Sequence, residues 1–237
     1  MPIRYKRILL KLSGEILAGD ERSGLNYPVI NDICREIAEI AQAGIETAMV
    51  VGGGNFIRGA RAVEQGMDRV QADQMGMLAT VINALALQNA LEQLGMPTRV
   101  QTAIEMRSVA EPFITRRAVR HLEKGRVLIF AAGTGSPYFS TDTAAALRAS
   151  EIKSECLLKA TKVDGIYDKD PVKFPDARFM PEVGFDDAIG LHLKVMDGAA
   201  FSLCMENKMP IIVFNVQKKG NLARLLIAGE RIGSIVS

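Results

Sequence analysis

Short, continuously apolar segments alternate along this chain with segments whose apolar residues recur at helical spacing, and this alternation constrains the fold most strongly. RVLIFAA (126–132) and PIIVFNV (210–216) are apolar almost throughout, whereas VINDICREIAEIAQAG (29–44) carries its apolar residues on one helical face. Strands that are apolar on both faces usually pair in parallel and are covered by helices on both sides. The sequence therefore predicts an α/β fold with an open, mainly parallel sheet sandwiched between helices.

The predicted elements run through the whole chain, so we expect a single domain over residues 1–237. Predicted strands cover 7–12, 46–51, 99–102, 126–132, 155–161, 210–216 and 233–237. Predicted helices cover 29–44, a long stretch within 69–94, 112–124, 141–150, 199–207 and 221–229. Ligands of such sheets bind beyond the carboxyl ends of the strands, which directs attention to the residues after each strand.

Charge argues against nucleic-acid binding as the main function, because the formal net charge is only +2. The basic run RRAVRH (116–121) is interpreted as the solvated face of a helix, with a polyanion site as the alternative. Ala118, Val119 and Leu122 supply the apolar side that such a helix needs.

The sulfur and nitrogen ligands of metal sites are scarce in this sequence. Cys34, Cys156 and Cys204 lie far apart without C-x-x-C spacing, so buried, reduced thiols are expected. With only His121 and His192 besides, a zinc site has too few ligands.

The N-terminal apolar run is too short for a signal peptide, because Lys11 interrupts it after residues 8–10. No stretch of the sequence approaches the roughly 20 apolar residues that span a bilayer. A soluble, cytoplasmic protein without membrane partners is therefore expected.

The stretch VVGGGNFIRGA (50–60) follows a predicted strand and carries three consecutive glycines. It fails the dinucleotide fingerprint G-x-G-x-x-G, which argues against a Rossmann dehydrogenase, because Ile57 occupies a position that needs a small residue. It also fails the P-loop pattern, since Ala60 and Arg61 stand where Lys and Ser/Thr belong. The glycines need another explanation.

Four predicted strands end in residues that suit phosphate groups. The strand-end segments are 11–14 (KLSG), 52–58 (GGGNFIR), 133–142 (GTGSPYFSTD) and 162–171 (KVDGIYDKDP). Gly-rich turns present bare N–H groups, and the helix N-termini that follow add positive potential. Lys11 and Arg58 add cations.

Each segment alone has a structural alternative. The three glycines could form only a tight strand-to-helix turn, and GTGSP could be a turn before a helix that Thr141 caps. Lys11 is harder to dismiss, because an ammonium group at the end of an apolar strand needs an anionic partner. The convergence of all four segments on one sheet edge favours phosphate binding.

Several segments of this sequence resemble motifs of a known protein family. RILLKLSGE, VVGGGNFIRG, LLKATKVDGIYDKDP and LKVMD resemble motifs of the amino acid kinase superfamily. GTGSPYFSTD and RVQADQMGMLATVINALAL resemble those of its bacterial uridylate (UMP) kinase branch. The resemblance runs from Tyr5 almost to the end of the chain.

The resemblance implies Mg²⁺-dependent, reversible transfer of the γ-phosphoryl group of ATP to UMP, which gives UDP and ADP in pyrimidine nucleotide biosynthesis. A phosphate acceptor is already anionic at neutral pH, so no general base is required. Catalysis then consists of positioning and charge neutralisation. Mg²⁺ is expected to arrive on the ATP phosphates, without a dedicated metal site in the protein.

The resemblance also assigns site residues. Catalytic roles fall on Lys11, Arg58, Asp142 and Asp197. ATP would be bound by Lys11, Leu12, Ser13, Gly14, Gly54, Arg58, Thr161, Tyr167 and Asp170, so that residues from about 155 to 237 mainly form the ATP site. UMP would be bound mainly by the N-terminal part, through Gly53, Asp73, Thr134, Gly135, Ser136, Pro137, Tyr138, Phe139, Ser140 and Thr141.

Four of these assignments keep a structural alternative. Asp73 and Asp142 could be plain carboxylates in the first turn of a helix, and Asp197 could be only a helix N-cap. Tyr167 could be a loop aromatic that covers the core.

Members of the family are commonly inhibited by UTP, often activated by GTP, and assembled as hexamers that are built from dimers. Arg99 and Arg126 match arginines of the GTP-responsive site, but Gln88, Glu92 and Thr115 replace its other groups. UTP inhibition is therefore the safer expectation. The helix within 69–94 is expected to be mostly core, with part of its surface at an interface between subunits.

Two rival functions remain open. A sister kinase would act on carbamate, acetylglutamate or aspartate, although these enzymes lack the GTGSPYFSTD loop. A nucleotide-sensing regulator would bind UMP without turnover, but Lys11 and Arg58 supply more cations than sensing needs.

Overall fold

The computed structural model describes residues 5–191, 193 and 195–237, apart from the side chains of Ala60 and Arg61. Residues 1–4 of the predicted domain, His192, and Lys194 of the LKVMD motif lie outside the described residues.

The described part of the chain alternates strands and helices, as predicted. The strands are β1 (Arg7–Leu12), β2 (Glu46–Val51), β3 (Thr98–Thr102), β4 (Glu111–Pro112), β5 (Val127–Ala131), β6 (Cys156–Thr161), β7 (Ile166–Tyr167), β8 (Phe179–Met180), β9 (Glu182–Val183), β10 (Ile211–Asn215) and β11 (Ser234–Val236). The helices are α1 (Gly14–Leu17), α2 (Tyr27–Gln42), α3 (Gly59–Glu64), α4 (Arg69–Gln93), α5 (Thr115–Glu123), α6 (Thr141–Glu151), α7 (Phe185–Gly190), α8 (Gly198–Glu206) and α9 (Asn221–Leu226).

Nine strands form one sheet in the order β4-β3-β5-β2-β1-β6-β10-β11-β9, and β7 and β8 form a separate antiparallel pair. Neighbours in the large sheet are parallel except β10 and β11, which pair antiparallel. The prediction of an open, mainly parallel sheet is confirmed.

The sheet has an apolar layer on each face, because successive side chains of a strand point to opposite sides. Ile8, Leu10 and Leu12 of β1 belong to a core layer that includes residues of α2, α4 and α9. Leu9 belongs to the opposite layer, with residues of α5, α6 and α8. The same alternation puts Lys11 on the face of Leu9, towards α6.

Two element predictions differ from the structure. The helix expected over 112–124 begins at Thr115, because residues 111–112 pair as β4 with Gln101 and Thr102 of β3. The C-terminal strand runs against its neighbour β10 rather than parallel to it. The short elements α1, α3, α7, β7, β8 and β9 were not predicted, since they are too short to show a periodic pattern.

The surface and core predictions hold. Arg116, Arg117 and Arg120 are exposed on α5 while Ala118 and Leu122 are buried, so the basic run is the solvated face of a helix. Cys34, Cys156 and Cys204 are all buried. Across the described residues, every helix falls short of the length and apolarity that crossing a bilayer would require.

Candidate active site

Two lysines and one aspartate form a buried ion cluster where the central strands end. Lys11 and Lys159 are register partners on the neighbouring parallel strands β1 and β6. Asp142, in the first turn of α6, lies over both, with Oδ1 2.7 Å from the Nζ of Lys11 and Oδ2 2.7 Å from the Nζ of Lys159. The side chains of Lys11, Lys159 and Asp142 are only 12, 17 and 14% exposed. The anionic partner expected for Lys11 is therefore Asp142.

The two lysines contact Asp142 differently. Lys159 donates hydrogen bonds to Asp142 Oδ2 at 2.7 Å and to the Val195 carbonyl at 2.5 Å. Lys11 instead forms an ion pair with the other carboxylate oxygen, Oδ1, at 2.7 Å.

Burial and charge shift the acidity of this cluster. Burial acts to raise the pKa of Asp142, but Lys11 and Lys159 outweigh it, and the pKa lies below its usual range. Burial also lowers the pKa of Lys159, which Asp142 offsets only in part and which Lys11 lowers further by repulsion. The aspartate is thus ionised at neutral pH, whereas Lys159 loses its proton more readily than an ordinary lysine.

The three glycines after β2 lie against backbone from two other elements. Gly52 N–H donates to the Leu12 carbonyl at 2.9 Å, which joins the ends of β1 and β2. A Cβ on Gly53 would lie 2.5 Å from the Gly76 carbonyl of α4, and one on Gly14 would lie 2.5 Å from the Gly52 carbonyl. Close packing by itself therefore requires glycine at these positions, so the tight-turn alternative describes a real constraint.

A buried pair of asparagines supports this glycine turn. Asn55 and Asn83 exchange amide hydrogen bonds of 2.9 and 2.7 Å. Asn83 also donates to the Gly52 carbonyl at 2.7 Å, and Asn55 donates to the Gly24 carbonyl at 2.7 Å. Because buried amides without partners are costly, this network fixes the turn against α4.

Arg58 is more exposed to solvent than the residues of the ion cluster. Its guanidinium pairs with Glu15 at 3.0 Å and is 60% exposed. Arg58 and Gly54 line a shallow cavity of about 400 Å³ that also includes Arg22. This arginine is thus an exposed cation next to the glycine turn.

The loop between β5 and α6 has an unusual backbone. Ala132, Gly133, Gly135 and Tyr138 all have positive φ, between 58° and 85°. Non-glycine residues rarely adopt this conformation, and such strain clusters at ligand sites. Within the loop the Thr134 hydroxyl donates to the Ser136 carbonyl at 3.2 Å. Tyr138 and Phe139 are exposed, so the loop presents its backbone and side chains to solvent.

Asp73 connects this loop to α4. Its Oδ2 accepts a hydrogen bond from Tyr138 N–H at 2.8 Å and pairs with Arg69 at 2.7 Å. Arg69 in turn lies over the Tyr138 ring, 5.5 Å from its centre. The alternative of a purely solvated carboxylate is therefore wrong, because Asp73 anchors a loop 65 residues away.

Ser140, not Thr141, is the N-cap of α6. Its hydroxyl accepts from the N–H groups of Asp142 and Thr143. The expected cap was wrong by one residue, because the helix begins at Thr141 and the cap precedes it. Ser140 also donates a hydrogen bond to Asp197 Oδ2.

Asp197 is an N-cap with additional partners. It caps α8 by accepting from Ala200 N–H at 3.0 Å. It also accepts from the hydroxyls of Ser140 and Thr143 on the other chain segment. Asp197 thus joins the start of α8 to the start of α6.

A cavity of about 550 Å³ opens beside the ion cluster. Thr161, Tyr167, Asp170 and Lys159 line it, together with Leu193 and Val195. Tyr167 packs edge-on against Phe179, with ring centres 5.4 Å apart. Lys11, Leu12, Ser13, Gly14, Gly54 and Arg58 are not among the lining residues, so the expected ATP residues divide between this cavity and the neighbouring strand ends.

Arg99 and Arg126 have partners within the chain. Arg99 pairs with Glu92 at 3.6 Å. Arg126 donates to His121 Nδ1 at 3.0 Å, and His121 Nε2 lies 3.0 Å from Glu111 Oε2. His121 therefore acts as the acceptor for Arg126 and the donor to Glu111.

Sequence reasoning did not single out Lys159. The signal was present, since Lys159 interrupts an apolar strand as Lys11 does, and the same argument about buried ammonium groups applies to both. Asn55, Thr80 and Asn83, which support the site loops, gave no such signal, because polar residues on helices and in turns are common.

Comparison with known proteins agrees with this geometry. The model of the amino acid kinase family matches residues 6–215. A UMP kinase from Bacillus anthracis has a similar structure, with a TM-score of 0.95, 39% identity, and coverage of 98% of this chain and 96% of that chain. A UMP kinase from Ureaplasma parvum has a TM-score of 0.93 and 41% identity, with coverage of 99% of this chain and 100% of that chain. A uridylate kinase from Archaeoglobus fulgidus has a TM-score of 0.73 and 25% identity, with coverage of 97% of this chain and 99% of that chain. The chain therefore belongs to the amino acid kinase family, in which it groups with the UMP kinases of bacteria.

Proposed function

We propose that this protein is a UMP kinase that transfers the γ-phosphoryl group of ATP reversibly to UMP, giving UDP and ADP for the synthesis of UTP and CTP. The observation that carries the proposal is the Lys11–Asp142 ion pair at the junction of the glycine turn, the strained loop and the large cavity. The likeness over nearly the whole chain to two UMP kinases supports the choice of acceptor.

The reaction needs no proton transfer. A phosphate oxygen of UMP attacks the γ-phosphorus, the bond from that phosphorus to the bridging oxygen breaks, and ADP leaves with its electron pair. Because donor and acceptor are both anions, the protein must reduce their repulsion and hold them in line. Lys11 is suited to the transferring group, since its ammonium group lies near the carboxyl end of β1, 2.7 Å from Asp142.

The acceptor half is formed by Gly53, Asp73 and the loop 134–141. Asp73 is proposed to accept hydrogen bonds from the ribose hydroxyls of UMP. Its Oδ2 already holds the loop at Tyr138, so ribose binding and loop position are connected. The backbone N–H groups and hydroxyls of the loop would then face the UMP phosphate and the uracil edge.

The donor half is formed mainly by residues from about 155 to 237. The cavity lined by Thr161, Tyr167 and Asp170 is proposed to hold adenine and ribose, and its volume suits a nucleoside. Ser13, Gly14, Gly54 and Arg58 would extend this site along the phosphates. Arg58 is exposed and pairs with Glu15, from which it could turn towards a phosphate chain.

Mg²⁺ would arrive on the triphosphate and neutralise part of its charge. Nowhere in the described residues do three His, Cys, Asp or Glu side chains cluster to hold a metal. The two carboxylates near the junction are engaged, Asp142 with two lysines and Asp197 with hydroxyl and N–H groups. Mg²⁺ is proposed to be held mainly by the phosphates and water.

Asp197 is proposed to act as a positioning residue. Its contacts with Ser140 and Thr143 hold the N-terminus of α6, which carries Asp142. We expect Asp197 to affect catalysis indirectly, through the position of Asp142, without binding phosphate itself.

Regulation and assembly follow the family. UTP is proposed as a feedback inhibitor, and GTP as an activator only if Arg99 and Arg126 can leave their partners. A homo-oligomer, with a hexamer as the proposed form, would use the exposed apolar stripe on α4 described below. The proposed location is the cytoplasm, together with the proposed substrates ATP and UMP.

The test is ADP release from MgATP with UMP, CMP, AMP, aspartate, acetylglutamate and carbamate as separate acceptors. Release with UMP well above the other acceptors is expected. ADP release with an amino acid or with carbamate would still support the proposed ATP site. It would contradict the proposal that residues 134–141 bind UMP. No release with any acceptor would instead favour a nucleotide sensor.

A further inference from the structure

A buried histidine far from the ion cluster in the sequence connects three elements of the fold. His121, near the end of α5, lies between Glu111 of the edge strand β4 and Arg126, the residue before β5. Its side chain is only 10% exposed. Its Nε2 is 3.0 Å from Glu111 Oε2, and its Nδ1 is 3.0 Å from Nη1 of Arg126. Since an arginine can only donate, this arrangement requires a neutral imidazole with its proton on Nε2.

Protonation of His121 would break one of these contacts and strengthen the other. Both ring nitrogens of an imidazolium are donors, so Nδ1 could no longer accept from Arg126, and two positive charges would face each other. The Glu111 carboxylate would instead gain a charged donor at Nε2. Histidine is the side chain whose charge changes most readily near neutral pH. The two contacts therefore respond to pH in opposite directions.

The groups around Glu111 keep this carboxylate ionised. Gln101 of β3 donates to Glu111 Oε2 at 3.2 Å, and Arg117 on the exposed face of α5 acts on it through its charge. Burial acts to raise the pKa of Glu111, but His121, Gln101 and Arg117 outweigh it, and the pKa is lowered. Glu111 thus stays charged across the pH range in which a histidine titrates, so that any change near neutral pH falls on the contact with Arg126.

We propose that His121 is a pH-dependent lock on Arg126: the neutral imidazole holds the guanidinium, and the imidazolium releases it to bind the triphosphate group of a nucleotide. Arg99 of β3 is the register partner of Leu128, two residues after Arg126, so both arginines are on the same face of the sheet. Arg99 is held only by a 3.6 Å pair with the half-exposed Glu92 and by the Thr98 carbonyl.

Release of Arg126 would therefore place two guanidinium groups close together beside α5. Guanidinium groups bind phosphate oxygens through two parallel N–H groups, and a pair of them suits a triphosphate. The choice of a nucleotide as the ligand rests on the proposed function, in which Arg126 takes part in regulation. The lock itself depends only on the contacts of His121.

A purely structural histidine makes a different prediction. If His121 served only to pack α5 against β4 and β5, its ring would stay neutral near physiological pH, and the loss of Arg126 would not change its titration. A lock instead requires opposite effects of its two partners, because Glu111 favours the imidazolium and Arg126 opposes it.

The first experiment follows the ring of His121 by NMR between pH 5 and pH 9. The sequence contains only two histidines, so protein labelled at histidine Cε1 gives two ring signals, and His121→Gln identifies the one from His121. Relative to wild type, Arg126→Met should move the titration midpoint up by about one pH unit, and Glu111→Gln should move it down by about as much. Arg120→Met, which removes the same charge from an exposed position on α5, is the matched control and should leave the midpoint in place.

The second experiment measures the contribution of Arg126 to anion binding. Wild type and Arg126→Met are titrated calorimetrically with inorganic triphosphate, one pH unit below and one above the midpoint of His121. The ratio of the two dissociation constants separates the contribution of Arg126 from that of every other phosphate site. This ratio is expected to be about 10 below the midpoint, as for one charge-assisted contact, and close to 1 above it.

The same titrations with GTP test whether the ligand is a nucleotide. Below the midpoint, the ratio for GTP is expected to be at least as large as the ratio for inorganic triphosphate. A ratio close to 1 for GTP would overturn the nucleotide as the ligand of Arg126.

The lock is overturned if the His121 ring does not titrate between pH 5 and pH 9, or if Arg126→Met leaves its midpoint unchanged. Equal triphosphate ratios on both sides of the midpoint would also contradict it. Thermal unfolding identifies a variant that has failed to fold, and Arg126→Gln, which keeps a neutral donor, then replaces Arg126→Met. If wild type phosphorylates no acceptor, the proposed function fails, while the NMR titrations still decide whether His121 controls Arg126.

Discussion

At the scale of single residues, the chemistry of this protein depends on how buried charges share partners. Lys11 and Lys159 extend from adjacent strands to a single aspartate that α6 presents above them. The carboxylate lies 2.7 Å from each ammonium group and so fixes their separation. The same carboxylate therefore joins α6 to two strands and, under the proposed function, positions the ammonium groups for phosphate.

Lys11→Ala is predicted to abolish phosphoryl transfer without unfolding the protein. We expect kcat to fall by about 10³-fold, because a charge that stabilises the transferring group is lost, while Lys159 still pairs with Asp142. Coupled-assay kinetics and thermal unfolding would check both parts. Lys124→Ala, at an exposed position, serves as the control. Near-normal turnover of Lys11→Ala would contradict its assigned role.

Asp73→Ala is predicted to weaken UMP binding more than ATP binding. The KM for UMP should rise about 10-fold or more, since hydrogen bonds to a charged group contribute about 1.5–3 kcal/mol. The KM for ATP should change less than twofold. Arg69→Met, which removes the ion partner of Asp73 but keeps the carboxylate, is the matched control. Equal effects of Asp73→Ala on both substrates would argue against ribose binding.

At the scale of elements, α4 supports both loops of the acceptor half with one face. Asp73 holds Tyr138, Gly76 lies against Gly53, Thr80 accepts from Ala132 N–H at 2.7 Å, and Asn83 holds Gly52. These four positions follow the i, i+3, i+7, i+10 spacing of a single helical face. A shift of α4 would consequently move the glycine turn and the loop 134–141 together.

Gly53→Ala is predicted to destabilise the protein, and Gly76→Ala is its control. The added Cβ at position 53 would lie 2.5 Å from the Gly76 carbonyl and 2.9 Å from the Ala79 Cβ. Overpacking of this kind costs about 1–3 kcal/mol. A Cβ at position 76 meets no atom within 4 Å, and alanine there should add up to about 1 kcal/mol of helix stability. Equal melting temperatures for the two variants would contradict this packing argument.

A pH-dependent contribution to stability belongs to the edge element β4. Burial acts to raise the pKa of Glu111, but His121 and Gln101 outweigh it, and the pKa is lowered. A lowered carboxylate pKa contributes stability above the unfolded value of about 4.3, and this contribution is lost as the pH falls through the folded pKa. Glu111→Gln should therefore reduce the free energy of unfolding at pH 7, and the difference from wild type should shrink below about pH 4.3.

Urea unfolding between pH 3 and pH 7 measures this difference. Glu39→Gln, at an exposed position on α2, is the control and should match wild type throughout. A difference for Glu111→Gln that stays constant down to pH 3 would show that the carboxylate charge is not its source.

At the scale of the whole molecule, the other side of α4 suggests how copies associate. Met75, Leu78, Ile82 and Leu85 form an exposed apolar stripe at the same helical spacing. An apolar stripe of this kind on a surface helix is typical of a subunit interface. If a second copy covers it, association and the acceptor site share one helix.

Ile82→Asp is predicted to shift the protein from the proposed oligomer towards smaller species, because a carboxylate would be buried at the interface. Light scattering after size-exclusion chromatography measures the mass. Ile189→Asp on α7 is the matched control, since both isoleucines are 49% exposed. An unchanged mass for Ile82→Asp would show that the stripe is not an interface.

The sequence by itself determined the fold class and the location of the candidate site. Continuous apolar strands such as 126–132 require burial on both faces, and burial on both faces requires flanking helices. Glycines and hydroxyls after those strands, together with Lys11, then marked one edge of the sheet. The inference of the fold class succeeded because it depends on residues close together in the chain, and the site at that edge stays a prediction.

Only the tertiary structure decided which distant residues meet. Lys11 and Lys159 meet at Asp142 because β1 and β6 are neighbours in register, although more than a hundred residues separate the two strands in the sequence. Asp73 reaches Tyr138, and Asp197 reaches Ser140, across 65 and 57 residues. Local pattern carries no information about such pairs, because strand order and register follow from the packing of the whole core and not from any one segment.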